Sequence, residues 1–222
     1  MSLAHSPSIV TNGLVLCLDA ANTKSYPGSG TTWRDLSGRG NSGTLTNGPT
    51  YSSANGGSIG LSSASSQYVG VGTISLPYGS SPGTISGWAK ANSATAGNGN
   101  WIISYGNPAT SQSRFIGYYN QTYYFGGYGN DITASGIQTN TWLNMVGVYD
   151  GANASMYING VLVSGPTAKT WNTVANNAQL GRQTWGGEYW DGNIAQVSIY
   201  NRALTASEIQ QNFNALRGRF GI

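Results

Sequence analysis

The sequence predicts an all-β fold, a two-sheet antiparallel β-sandwich closed by one short C-terminal helix. Three observations carry that prediction. Short β-prone segments recur along all 222 residues, 33 glycines help to separate them, and only one stretch, near the C-terminus, spaces its apolar residues as a helix does.

Taken in order, residues 14–18, 43–46, 67–71, 84–90, 101–105, 114–119, 122–125, 142–149, 154–158, 161–164, 178–181 and 193–200 read as strands, each bounded by Gly, Asn, Ser or Pro. The sharpest local signal is Asn159-Gly160, which tolerates the positive backbone angles of a two-residue hairpin turn between its flanking strands. In 142–149, Trp142, Val146 and Val148 share one face and Leu143, Met145 and Tyr149 the other, so a central strand is expected. In 193–200, Ala195, Val197 and Ile199 alternate with Gln196 and Ser198, so one face should meet the core. Thr205 and Glu208 have capping-box spacing, and Ile209, Phe213 and Leu216 follow at i, i+4 and i+7. That helix should pack at the sandwich edge. Residues 1–12 read as an N-terminal lead-in to one domain spanning 13–222, and 36–41 and 52–58 as loops too small and polar to pack.

Composition excludes several classes. Ten Lys and Arg and seven Asp and Glu make up 8% of the chain, against the usual quarter, while seven Trp, fourteen Tyr and four Phe supply far more aromatic surface than a disordered chain carries. No stretch approaches the roughly 18 apolar residues of a membrane span, and the run 14–18 is too short for a signal-peptide core, so neither membrane insertion nor secretion is expected. The cations are scattered rather than clustered, which argues against nucleic acid and for a neutral, hydroxyl-bearing or protein surface as partner. Cys17 is the single cysteine; it cannot form an internal disulfide and reads as a small buried hydrophobe.

The stretch WDGNIAQVSIYNRALTASEI, residues 190–209, closely resembles the last strand and following helix of laminin-G-like, concanavalin A-like jelly-roll domains. TWLNMVGVYDG (141–151), SMYINGVLV (155–163), ISGWAK (85–90) and WRDLSGRGNSGTLTNGPTY (33–51) resemble the family's other segments in order, so the likeness covers nearly the whole chain. Such domains occur in secreted adhesion proteins, in modules attached to polysaccharide-degrading enzymes and in structural proteins of tailed bacteriophages. Residues 13–38 look most like the phage-borne versions. The resemblance therefore implies a virion surface protein made in the host cytoplasm, such as a capsid decoration, head-fibre or tail-associated domain. Its partners would be other virion proteins, a host surface glycan, or further copies of itself. The alternative is an extracellular module, secreted or attached to an enzyme. Family members often hold calcium through an Asp in the last strand and a loop Asp, positions that here carry Ala195 and Ser62 or Ser63, so no cofactor is expected; Asp150 and Asp191 read as turn residues.

Catalysis finds little support in the residues. Retaining glycosidases need two carboxylates about 5 Å apart, whereas Glu188 and Glu208 lie far apart in sequence, and Glu188 and Asp191, at i and i+3 of a strand, would point to opposite faces. The sole histidine, His5, lies in the N-terminal lead-in, and no His/Cys cluster suits a metal. A non-enzymatic role is expected.

Aromatic side chains remain. Most should fill the core, Trp88 and Trp142 first. Tyr118, Tyr119, Tyr124 and Tyr128 around the turn at Asn120-Gln121, and Trp171, Trp185, Tyr189 and Trp190 in or beside loops, are the candidates for contact with a glycan or a neighbouring subunit, because aromatic faces stack on sugar C–H surfaces.

Overall fold

The computed structural model describes residues 7–93, 99–184 and 186–222. The strands are β1 (Leu14–Asp19), β2 (Thr32–Trp33), β3 (Gly43–Thr46), β4 (Thr50–Ser52), β5 (Ser58–Leu61), β6 (Tyr68–Gly72), β7 (Gly83–Ala91), β8 (Asn100–Gly106), β9 (Ser113–Tyr119), β10 (Thr122–Gly126), β11 (Ile132–Ala134), β12 (Leu143–Tyr149), β13 (Asn153–Ile158), β14 (Val161–Ala168), β15 (Ala178–Leu180) and β16 (Gly192–Tyr200). They form two antiparallel sheets. One runs β14-β13-β12-β7-β16-β5-β4 with β1 also on β16, and the other runs β11-β10-β9-β8-β15-β6-β3-β2. All twelve expected strands are present; β2, β4, β5 and β11 were not expected, being two to four residues long.

The inner faces of the two sheets meet in one large apolar core that includes Leu143, Met145 and Tyr149 from one sheet and Ile103, Ile116 and Phe125 from the other. Strand β12 is central, as its two apolar faces require, because Val146 and Val148 pack on the opposite side with Leu14, Cys17, Tyr200 and Ile209. Burial pushes the Cys17 thiol up to about 11, which keeps it an inert packing group.

In β16 the alternation breaks at a bulge between Ile194 and Gln196. Val197 and Ile199 enter the main core as expected, but Ala195 turns to the other side, against Trp88, Trp142, Phe213 and Phe220. The bulge also divides the work of the strand. Its first residues pair with β5, and Gln196 to Tyr200 pair with β1.

The helix α1 (Ala206–Leu216) begins with the predicted capping box, Thr205 and Glu208 each accepting the other's backbone N–H. It lies across a sheet face instead of closing an edge: Phe213 stacks on Trp88 at 5.6 Å, and Gln196 and Ser198 are buried despite their polarity. The residues before β1 dock there too, Val10 N–H donating to Asn212 Oδ1 and Tyr200 O–H to the Val10 carbonyl. In the loop at 52–58, residues 53–56 stay exposed as expected, but Gly57 and Ser58 are buried, Ser58 opening β5, and Asn55 Oδ1 accepts from the Trp142 indole. The Asn159-Gly160 turn has φ of 51° and 78°, as a type I′ hairpin demands. One face of the β-sandwich is thus roofed by helix, while on the other sheet the Glu188 loop reaches over β8, and Tyr119 of β9 and Tyr124 of β10 stay half-buried.

Candidate functional site

Strands β8, β9 and β10 are neighbours, so residues of matching parity form rows across the sheet. Ile116, Tyr118, Tyr123 and Phe125 point into the core. Alternation then puts Phe115, Tyr119 and Tyr124 on the outer face, and a register shift between Trp101 and Ile103 in β8 sets Trp101 there too, opposite Gly117. Gly117 lies between Trp101 and Tyr124 in one such row, and a Cβ there would come within 2.8 Å of Trp101 Cα. Gly126 opposes Phe115, whose ring occupies the space a side chain would need. The missing side chains let the large rings lie low on the sheet. Trp101 meets Phe115 edge-on at 4.6 Å and Tyr124 at 6.2 Å, and Tyr119 meets Tyr124 at 6.2 Å.

These rings line a groove of about 410 Å³ together with Tyr128, Gly129, Asp131, Gln183 and Glu188. Asp131 organises one wall. Its Oδ1 accepts the Gly127 N–H at 2.8 Å, and burial holds its pKa above the ordinary carboxylate value, although the backbone amides of Gly127, Gly129 and Tyr128 and the Lys169 charge oppose that rise. The turn so fixed holds Tyr128 at φ 57°, a left-handed conformation rare for a bulky residue, with the ring 39% exposed at the groove. Glu188 builds the other wall, its Oε2 accepting the Trp101 indole N–H at 2.7 Å.

A second, polar depression of about 240 Å³ adjoins the first. Ser63, Ser93, Asn100, Tyr189, Asp191 and Glu188 are among its lining residues, so Glu188 borders both spaces. Asn100 Oδ1 accepts the Asp191 N–H at 3.0 Å and fixes that rim.

Of the candidates named from sequence, Tyr119, Tyr124 and Tyr128 come together in the groove. Tyr118, Trp171 and Trp190 do not belong with them, because all three are packed into the core between the sheets. Tyr118 has the inward parity of β9 and meets Trp190 edge-on at 5.6 Å, while Trp171 packs between Phe125 and Tyr149 and donates its indole N–H to the Asn130 carbonyl. Tyr189 is half-buried on the polar depression, near Tyr68, with the Arg182 guanidinium against both rings at 5.1 and 5.2 Å. Trp185 lies outside the described residues. Trp88 and Trp142 are core packing, as expected.

The sequence reading missed Trp101, Phe115, Asp131 and Gln183. Strict alternation through 114–119 and 122–125 would have marked the outer rows, but the third strand of the row is fixed only by pairing. It also misplaced Glu188. That residue lies in a loop and not in a regular strand, so it and Asp191 line the same depression instead of facing apart.

The positions at which relatives hold calcium do not fit the ion here. Ala195 is fully buried among Trp88, Trp142, Phe213 and Phe220, and Ser62 and Ser63 offer neutral hydroxyls. Asp35 spends its oxygens on Cys17 N–H, Ser37 N–H and Oγ–H, and Asn41 N–H, and Asp150 on the amides of Asn153 and Ala152, which hold its pKa below the ordinary carboxylate value. No helix among the described residues is long and apolar enough to cross a membrane.

This fold is that of a lectin-like jelly roll, and the chain belongs to the concanavalin A-like lectin/glucanases superfamily, whose family model matches residues 63–210. Among solved structures it is similar to domain 4 of AbnA, a GH43 extracellular arabinanase from Geobacillus stearothermophilus, in complex with arabinotriose. The TM-score there is 0.66 at 18% identity, over 90% of this chain and 97% of that one. It is also similar to the binding domain of Paraclostridial Mosquitocidal Protein 1 (TM-score 0.67, 18% identity, 92% of this chain and 52% of that one). A third similar structure is the binding domain of Botulinum neurotoxin DC in complex with rat synaptotagmin II (TM-score 0.71, 19% identity, 93% and 52%). At these identities the likeness is one of fold. No curated protein sequence matches the chain significantly.

Proposed function

We propose that the chain is a non-enzymatic recognition domain that binds a glycan in the outer groove of β8, β9 and β10. One observation carries this reading: the accessible rings of Tyr119, Tyr124 and Tyr128, backed by the buried rings of Trp101 and Phe115, line one groove whose other lining groups include Asp131, Glu188 and Gln183. Rings supply flat apolar platforms for sugar C–H faces, and the polar groups orient hydroxyls. That one similar fold was solved with arabinotriose supports the choice of ligand class.

Hydrolysis is not part of the proposal, even though two carboxylates border the groove. Asp131 is occupied with backbone amides of its own turn and Glu188 with the Trp101 indole, so each has a structural role. A glycan array probed with the purified chain and with Tyr124→Ala tests the reading. Binding that Tyr124→Ala abolishes is expected; no binding to any glycan, or binding indifferent to that change, overturns it.

The finer placement we propose is a virion surface, where the domain would decorate a capsid, fibre or tail beside other virion proteins. The resemblance of residues 13–38 to phage-borne domains supports it, and the competing placement is an extracellular or enzyme-attached module. A mass-spectrometric census of purified virions that lacks the chain would reject the first.

A further inference from the structure

We infer that the aromatic groove and the polar depression are two subsites for one neutral oligosaccharide, with the Glu188 side chain between them. This deepens the glycan reading and rests on it. Glu188 lines both spaces, so a ligand leaving the groove past that carboxylate enters the depression directly. The two spaces differ in chemistry. The groove is walled by rings, which select for the C–H face of a sugar, whereas Ser63, Ser93, Asn100 and Asp191 in the depression present hydrogen-bonding groups to a hydroxyl-rich neighbour.

Charge decides which sugars fit. Asp131 and Glu188 border the groove, Glu188 and Asp191 the depression, and neither space is lined by Lys or Arg among the described residues. Arg182, adjacent to Gln183 in sequence, is held against Tyr68 and Tyr189 and donates to the Gly186 carbonyl. Carboxylates accept hydrogen bonds from sugar hydroxyls and repel a sugar carboxylate, so uronic and sialic acids are disfavoured and neutral units preferred.

Titration calorimetry with arabinotriose, xylotriose, cellotriose and mannotriose, their monosaccharides, and the glucuronic and mannuronic acid trimers tests the inference. A neutral trimer should bind at least about tenfold more tightly than its monosaccharide and than its matched uronic trimer. Ala64→Trp, a substitution at an exposed residue on the rim of the depression, should remove the trimer's advantage and leave monosaccharide binding unchanged. A trimer no tighter than its monosaccharide, a uronic trimer bound as tightly as the neutral one, or a trimer indifferent to the rim variant overturns the two-subsite inference while leaving the glycan reading standing. Failure of every sugar to bind, or binding unaffected by Tyr124→Ala, overturns the glycan reading itself.

Discussion

The indole N–H of Trp101 donates to Glu188 Oε2 at 2.7 Å, joining strand β8 to a loop 87 residues away. This bond fixes both the largest ring in the groove and the carboxylate that separates the two depressions. Glu188→Ala should leave the indole without its partner and cost about 1–2 kcal/mol of stability, while Glu188→Gln, which keeps an acceptor, should cost less than half of that. Urea denaturation of the two variants decides, and equal losses would show that the acceptor is not what matters.

Enzymatic turnover is expected to be absent. Incubation with arabinan, xylan, mannan and soluble cellulose derivatives should release no reducing ends, because the two groove carboxylates are engaged by Gly127 N–H and the Trp101 indole. Reducing-end release that Glu188→Gln abolishes would reassign that residue to catalysis.

Replacing Gly160 by Val should destabilise the fold by roughly 1–3 kcal/mol, since φ is 78° there and a β-branched residue is strained at a positive angle. Its Cβ would also approach Gln210 Oε1 to 2.7 Å and Phe213 to 3.3 Å, so the strain reaches the helix. An unchanged melting temperature would refute this account.

The acid limb of stability should carry a contribution from Glu208. Hydrogen bonds from Arg202 come first among the causes, the Thr205 backbone N–H second, and together they hold the carboxyl down to about 2. A depressed carboxylate stabilises the fold above its unfolded value of about 4.3, and the contribution fades as pH falls through about 2. Because solvent reaches the pair, the effect is below about 1 kcal/mol. Glu208→Gln should flatten the stability–pH curve between about pH 4.5 and 2; a curve parallel to the wild type would remove Glu208 from the account.

Melting curves with calcium and with excess chelator should overlap, because Ala195 and the serines at 62 and 63 leave the family's position without carboxylates. A shift of more than about 5 °C would reveal a site built elsewhere, for example on Asp191.

Much of the β-sandwich was legible in the residues because local rules act locally. The Asn159-Gly160 turn, the Thr205/Glu208 box and the two apolar faces of β12 each depend on neighbours within a few positions, and each is found as expected. The short strands β2, β4, β5 and β11 were invisible for the converse reason: two to four residues hold too little alternation, and only a pairing partner makes them strands.

The sequence by itself determined that this is an aromatic-rich all-β domain with one capped helix and a buried thiol, since period, turn chemistry and composition are properties of the chain read in order. Tertiary structure alone decided which aromatics face outward. Tyr118 and Tyr119 are adjacent and chemically identical, yet pleating buries one and opens the other to the groove. Trp101 joins Tyr124 only because Gly117 lies between them across three paired strands, and Glu188 joins both only because its loop folds back over β8. A binding face is a set of distances between residues remote in sequence, and strand register sets those distances.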